Sequence, residues 1–205
     1  MFEALLPPTT TEGLQPLGSA AQRSWELGTG VVRARLGKAH AAIFAEPVAA
    51  EHGDSIDWHA GLRGPAMQLT DLDPDEQEEL RARLGGMVGD IRAEAAALRE
   101  AGSADDQRLA EALENATEIP DEDMIYAVRD SDGALHPVLV HWAWIRDRQN
   151  AVRGVLSAMV PRPAGAAEVA VEERGRAAGW WWLILLGWAL LAAMLGAILY
   201  LMIAP

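Results

Sequence analysis

An uncharged apolar run near the C-terminus constrains this chain more than any other feature of its sequence. Residues 180–204 read WWWLILLGWALLAAMLGAILYLMIA and contain no charged residue and no proline. As a helix this run would be about 37 Å long, and the hydrocarbon core of a bilayer is about 30 Å thick. Three successive tryptophans at its start suit the aromatic belt of a membrane interface. We therefore expect residues 180–204 to form a single transmembrane helix rather than a buried core helix.

The residues before this run predict its orientation. Arg174 and Arg176 precede it, and the opening residues, MFEALLPPTT, lack the basic and apolar regions of a secretory signal. The positive-inside rule then places the N-terminal domain in the cytoplasm. Sixteen arginines against one lysine, with abundant alanine and glycine, are typical of GC-rich bacterial genomes. The expected location is a cell membrane, with a bacterial inner membrane favoured.

Small residues recur inside the predicted span and indicate a surface for helix pairing. Residues of this kind, four apart, allow two membrane helices to approach closely. The alternative is that alanine and glycine are simply common in this chain. The two candidate rows are Ala189, Ala193 and Ala197, and beside them Ala192 and Gly196.

Composition divides the remaining chain into three parts. Residues 1–18 are rich in proline, threonine and glycine and predict a mobile arm. Residues 19–160 have the apolar content of a small cytoplasmic domain, and residues 161–179 read as a linker. Within the domain we expect a helix over 19–37 and strands over 40–46 and 55–59.

The middle of the domain predicts two antiparallel helices joined by a short link, an αα-hairpin. Asp73 suits an N-cap, Pro74 the first helical position, and Glu76 completes a capping-box pattern. Gly102 is placed to end the first helix and Ser103 to start the second. Pro120 stops the second helix. Three glycines in the first helix, Gly85, Gly86 and Gly89, indicate either a close backbone approach or a local break.

A β-hairpin follows, with strands over 124–128 and 135–145 around the turn Asp130–Gly133. The second strand is apolar on both faces, which favours a central position in its sheet. Residues 151–160 fit either a short strand or a helical turn. The expected fold class is α+β: a small antiparallel sheet of about four strands packed on the αα-hairpin, plus the C-terminal transmembrane helix.

The negative charge is local. The chain has a net charge of −13, and residues 71–132 carry all of this imbalance. Such a balance disfavours nucleic-acid binding, which needs a surplus of basic residues. Acidic residues also begin helices for local reasons, so a merely solvated face competes with a docking surface for a basic protein partner. The candidate docking residues are Glu76, Glu78, Glu79, Asp105, Asp106 and Glu122.

Catalytic motifs are not found. The chain has no cysteine and no phosphate-binding loop, zinc-protease or serine-hydrolase signature. If two of the predicted strands were adjacent, His59 and His141 would meet near Asp57 and Glu46 as a metal or acid–base site. The strand tryptophans Trp58, Trp142 and Trp144 would line a small cleft or, more simply, fill the core. We expect no cofactor and no metal.

Three functions follow from this sequence. The leading hypothesis is a non-enzymatic, membrane-anchored interaction or assembly subunit whose cytoplasmic domain positions a basic partner protein at the inner face of the membrane. The alternative is a membrane-tethered ligand-binding or sensory domain that reports through its single helix. The third is an enzyme that uses the His59/His141 region.

Overall fold

The computed structural model describes residues 4–49, 55–146 and 154–161. These lie in one compact unit, Met1–Pro161, with an α+β fold of small antiparallel sheets and helices. Within those ranges, no helix is long and apolar enough to cross a membrane. The predicted transmembrane helix over 180–204 and nearly all of the predicted linker over 161–179 lie outside the described residues.

Three small sheets replace the single sheet of about four strands that the sequence predicted. The first has the order β1 (Ala4–Thr10), β4 (Ser55–Ala60), β3 (Glu46–Ala49). The second pairs β2 (Leu14–Pro16) with β8 (Trp144–Arg146), and the third has the order β5 (Ala66–Gln68), β6 (Ile125–Arg129), β7 (Leu135–Leu139). All strand pairs within these sheets are antiparallel.

The prediction of a mobile arm over 1–18 was wrong for its described part, because β1 and β2 both pair with distant strands. Ala4 and Leu6 point inward and are buried, and β1 runs alongside β4. The register shifts between Leu6 and Thr9, where two prolines lie. Since proline cannot donate to a strand ladder, an irregular edge strand is where it is tolerated.

The strand predicted over 40–46 was also wrong. A short helix, α2 (Lys38–Ala41), occupies its start, and β3 begins only at Glu46. Between them Phe44 makes a parallel bridge to Leu139 at the outer edge of β7. The buried run Ile43–Ala45 is therefore a connecting segment that packs in the core between α2 and β3. The strand predicted over 55–59 is confirmed as β4.

The predicted αα-hairpin is confirmed, with α3 over Pro74–Ala101 and α4 over Ala104–Ala116. Gly102 takes the left-handed conformation at the end of α3, and Oγ of Ser103 accepts from the amide of Asp106 at 3.0 Å. The capping box at Asp73 does not form, because that side chain makes no capping hydrogen bond. The helix predicted over 19–37 is shorter, α1 (Trp25–Arg35), capped by Ser24.

Of the three glycines in α3, Gly85 has a clear packing reason to be glycine. A Cβ at this position would overlap the backbone carbonyl of Met159, which belongs to the segment after the last strand. A single 3-10 turn, Leu156–Ala158, lies within that segment. The sequence predicted either a short strand or a helical turn for residues 151–160. The described part of this segment contains the helical turn.

The long second strand of the predicted β-hairpin is broken. It ends at Leu139, and residues 144–146 join a different sheet as β8. The break contains two non-glycine residues with positive φ, His141 at 49° and Ala143 at 60°. The expectation that this strand is central was wrong, since β6 is the central strand and β7 an edge. Leu139 donates its N–H to Ile43 and not to β6, so Pro137, two residues earlier, has its nitrogen on the same outer side.

One core cluster joins the inner faces of α3 and α4 to buried residues of the first and third sheets. The α3 members recur at helical spacing, and Val88 is fully buried among them. From α4 and the residues after it, Leu113, Ala116 and Ile119 are buried. On α3 the buried apolar side chains are Leu80, Leu84, Val88, Ile91, Ala95 and Leu98.

Candidate functional site

Most of the predicted docking carboxylates are engaged inside the domain. Glu76 lies 2.8 Å from the guanidinium of Arg129 on β6, and Glu122 lies 2.9 Å from that of Arg81 on α3. One ion pair links α3 to β6, and the other links α3 to the 3-10 turn Glu122–Met124. Both are partly exposed, so each is worth about 1 kcal/mol or less.

The remaining predicted docking residues lie nearer the solvent. Glu79 pairs with Arg83 one helical turn later, at 3.4 Å, and Asp105 pairs with Arg108 at 3.1 Å. Asp106 accepts from the hydroxyl of Ser103 at 2.6 Å as part of the α4 cap. Glu78 is the one member of the predicted set whose side chain has no ion pair or hydrogen bond among the described residues.

Unpaired acidic charge concentrates instead around the start of α3. Five carboxylates there are exposed and have no ion-pair or side-chain hydrogen-bond partner among the described residues. Burial raises the pKa of the nearby Tyr126 hydroxyl, and the negative charges of Asp123 and Asp71 raise it further, so both carboxylates act on this one hydroxyl. We call the five residues the acidic patch: Asp71, Asp73, Asp75, Glu78 and Asp123.

The predicted meeting of His59 and His141 does not occur. His59 stands opposite Glu46 in the register of β3 and β4, as the sequence hypothesis required. His141 instead packs against Trp58, the residue before His59, with ring centroids 5.1 Å apart. Since successive side chains of a strand point to opposite faces, His59 and Glu46 lie on the other side of the sheet from His141. Nowhere in the described ranges do His, Asp and Glu side chains form a group able to hold a metal ion.

His141 is built into a buried network. Its Nε2 lies 2.6 Å from Oγ1 of Thr9, and the same hydroxyl accepts from Nε1 of Trp58 at 2.7 Å. Trp144 packs edge-on against the other side of the imidazole. Burial lowers the pKa of His141 from 6.5 to about 4, which keeps the ring neutral at physiological pH. His141 is thus a buried, neutral ring packed between the indoles of Trp58 and Trp144.

The strand tryptophans fill the core and do not form a cleft. Trp142 is buried, donates Nε1–H to the carbonyl of Ala45 at 2.9 Å and meets Phe44 edge to face. The cavity beside Trp142 and Phe44 measures about 10 Å³, roughly the size of one water-probe sphere. Trp144 is half-buried, and the guanidinium of Arg23 lies 5.9 Å from its ring centroid.

A larger groove lies between α2, α3 and β7. It measures about 540 Å³, and its walls include Ile43, Leu62 and Met87, with Lys38, Arg83 and His136 also lining it. We call it the Lys38 groove. No sequence pattern predicted this groove, because its lining residues are spread from Lys38 to Pro137 and no local motif joins them.

Two further depressions lie along α1 and α4. One of about 340 Å³ is lined by Val31, Leu98 and Leu109, and one of about 540 Å³ by Leu27, Arg108 and Leu109. Leu27 is 45% exposed, one of three large apolar side chains that the described part leaves in solvent. The two depressions share Leu27 and Leu109 and so form neighbouring parts of one apolar surface.

The predicted helix-pairing residues Ala189, Ala192, Ala193, Gly196 and Ala197 lie outside the described residues. Comparison of the chain with protein-family models, with characterised proteins and with solved structures found no match in any of the three. The candidate sites therefore rest on their own chemistry.

Proposed function

We propose that this chain is a non-enzymatic, membrane-anchored interaction subunit. Its N-terminal domain recruits or positions a basic partner protein at the cytoplasmic face of a bacterial membrane. The single observation that carries this proposal is the acidic patch, where five exposed carboxylates have no partner within the described part of the chain, while most other acidic residues of the αα-hairpin are paired.

Carboxylates without a partner attract a docking protein more strongly than carboxylates already paired with an arginine. A carboxylate already held by an arginine must lose that partner before it can bind another, so its net gain on docking is small. Unpaired carboxylates do not have this cost. Their combined negative potential steers a basic surface toward them. The patch is thus a better docking candidate than the paired residues Glu76, Glu79 and Glu122.

The membrane anchor follows from the sequence of residues 180–204. Its 25 residues without a charge meet the length that a bilayer span requires. Anionic lipid headgroups repel a patch of carboxylates, so the patch favours a partner in solution over the lipid surface.

The partner arm of the test uses neutral substitutions, which leave the helix start intact. The patch variant carries Asp71→Asn, Asp75→Asn and Glu78→Gln. The matched control carries Glu12→Gln, Glu100→Gln and Asp132→Asn, three exposed carboxylates that are not members of the patch, with the same change of charge. After cross-linking in native membranes, mass spectrometry should identify a protein with a basic surface bound to wild type and control and lost from the patch variant. Equal recovery by all three forms rejects the patch.

The membrane arm uses the whole chain. After cell lysis and carbonate washing, the full chain should remain in the membrane pellet, and a variant lacking residues 180–204 should move to the supernatant. Recovery of the full chain as a monomer in the supernatant without detergent would overturn the anchored part of the proposal. Loss of the anchor and loss of the partner are separate outcomes, because each has its own variant.

A further inference from the structure

The Lys38 groove is lined by basic side chains, although the chain as a whole is acidic. The chain has a net charge of −13, yet the groove gathers a lysine, an arginine and a histidine around apolar walls. Lys38 is the only lysine in the sequence. Its side chain is exposed and has no ion-pair or hydrogen-bond partner among the described residues.

The other two basic groups have partners that hold them in place. Arg83 donates to the carbonyl of Leu135 at 2.6 Å and lies 3.4 Å from Glu79. Nε2 of His136 lies 2.8 Å from Asp130 on the turn before β7. These contacts fix the two side chains at the groove, and they leave Lys38 as its uncompensated cation.

The size and lining fit a small molecule. Ligand pockets commonly measure about 300–1,000 Å³ and combine apolar walls with a few placed polar groups. At about 540 Å³ the groove falls in this range. An anion entering an apolar pocket needs a cationic partner to offset the loss of its hydration, and Lys38 supplies a free one.

We propose that the Lys38 groove binds a small amphiphilic anion, with a carboxylate or phosphate group carried on an apolar body. The anionic group meets Lys38, with Arg83 beside it, and the apolar body lies against Ile43, Leu62 and Met87. The uncompensated charge of Lys38 disfavours a cationic ligand, and a neutral apolar ligand leaves Lys38 without a counterion. This site goes beyond the proposed interaction function and does not depend on the acidic patch.

The test follows two methyl groups in the groove by NMR while a water-soluble probe is added. The full-length chain carries labelled methionine and isoleucine methyls and is purified with phosphatidylcholine nanodiscs present. Signals of Met87 and Ile43 are assigned by their loss in Met87→Leu and Ile43→Val. The probe is 2-naphthoate, and its neutral counterpart is 2-naphthalenemethanol.

We expect 2-naphthoate to shift both methyl signals in a saturable manner and to bind more tightly than the neutral alcohol. Lys38→Met should weaken naphthoate binding by roughly three- to tenfold, the range expected for one partly exposed charge pair. Arg33→Met, which removes an exposed and unpaired arginine of α1, is the matched control and should leave binding unchanged.

Three results would overturn the proposal: no saturable shift, equal binding of acid and alcohol, or no effect of Lys38→Met. A second arm exchanges phosphatidylcholine for anionic phosphatidylglycerol without any probe. Shifts of the two methyls in that arm support the same groove chemistry and identify a membrane lipid as the source of the anion. Their absence, with naphthoate binding intact, assigns the groove to a soluble ligand.

Discussion

Gly85 of α3 lies directly against the backbone carbonyl of Met159, so closely that a Cβ on Gly85 would overlap the carbonyl oxygen. Gly86, one residue later, would place a Cβ in open space. The helix therefore contains two adjacent glycines under opposite constraints. Gly85 admits the chain segment after the last strand, whereas Gly86 has no packing reason to be glycine.

Substitution of these two glycines should have opposite effects on stability. Gly85→Ala should destabilise the domain by about 1–3 kcal/mol, as overpacking against an unyielding backbone does. Gly86→Ala should stabilise it by up to about 1 kcal/mol, since alanine is the better helix former. Urea denaturation of the two variants and wild type measures both free energies of unfolding. Equal effects of the two substitutions would show that Met159 does not pack on α3.

The hydroxyl of Thr9 should be worth more than its size indicates, because it contacts both Trp58 and His141. Thr9→Val removes the hydroxyl and leaves two buried ring nitrogens without their partner, at a cost of about 1–3 kcal/mol. Thr9→Ser keeps the hydroxyl and should cost clearly less. Chemical denaturation of both variants gives the comparison. Similar losses would mean that the methyl group and not the hydrogen bonds carries the effect.

Acid should weaken the fold through His141. Burial lowers its folded pKa to about 4, below the ordinary value of 6.5, so the unfolded chain binds the proton more tightly. Its contribution to stability is therefore complete above about pH 6.5 and is lost as the pH falls toward 4. We expect the free energy of unfolding to fall by on the order of 1–2 kcal/mol from pH 7 to pH 5 on this account.

Comparison with two histidine variants isolates this contribution. His141→Asn removes the titrating group at a left-handed position that asparagine tolerates, so its stability should depend less on pH over this interval. His59→Gln lies on the other face of the sheet and should keep the wild-type decline. An unchanged pH profile in His141→Asn contradicts the assignment. Thermal melts over pH 5–7 provide the measurement.

The two helix caps of the αα-hairpin should respond differently to alanine. Ser103 accepts from the amide of Asp106, and Ser103→Ala should cost about 1 kcal/mol. Asp73 occupies the same position at the start of α3 but makes no side-chain capping bond, so Asp73→Ala should cost clearly less. What remains there is the attraction of its charge to the helix dipole, worth a few tenths of a kcal/mol on an exposed surface. Denaturation midpoints of the two variants test the difference, and a larger loss at Asp73 would reverse the assignment.

The parts of the fold that sequence reasoning recovered are those whose signals are local. The two long helices are marked by capping residues and by apolar residues at helical spacing, and both are confirmed. The bounds of α3 agree with the prediction, whereas α4 ends at Ala116, before the predicted stop at Pro120. The N-terminal strands were missed because their partners lie far along the chain. β1 pairs with residues 55–60, and β2 pairs with residues 144–146. The proline and threonine of residues 1–18 are typical of a mobile arm. Only pairing with distant strands places these residues in a sheet.

The predicted histidine site does not form, for two reasons. β4 pairs with β1 and β3 and not with the strand that ends at Leu139, and the side chain that meets His141 belongs to Trp58 and not to its neighbour His59. A shift of one position exchanges the two faces of a strand, and composition alone does not resolve it. The break after Leu139 was also not predictable from the sequence. The two residues with positive φ, His141 and Ala143, are not glycines, so no residue type marks the break. The Lys38 groove needs tertiary contacts between α2, α3 and β7 and has no local signature.

The segment from β7 to β8 ties the small sheets to one another. Leu139 ends β7, yet it also exchanges hydrogen bonds with Ile43 and Ala45 on the other side, and five residues later the same segment pairs with β2. Neither sheet can lose this segment alone without breaking contacts of the other. Amide protons of β2 and β6 should therefore exchange with solvent through one common opening event, so that sheets too small to persist separately unfold as a single cooperative unit.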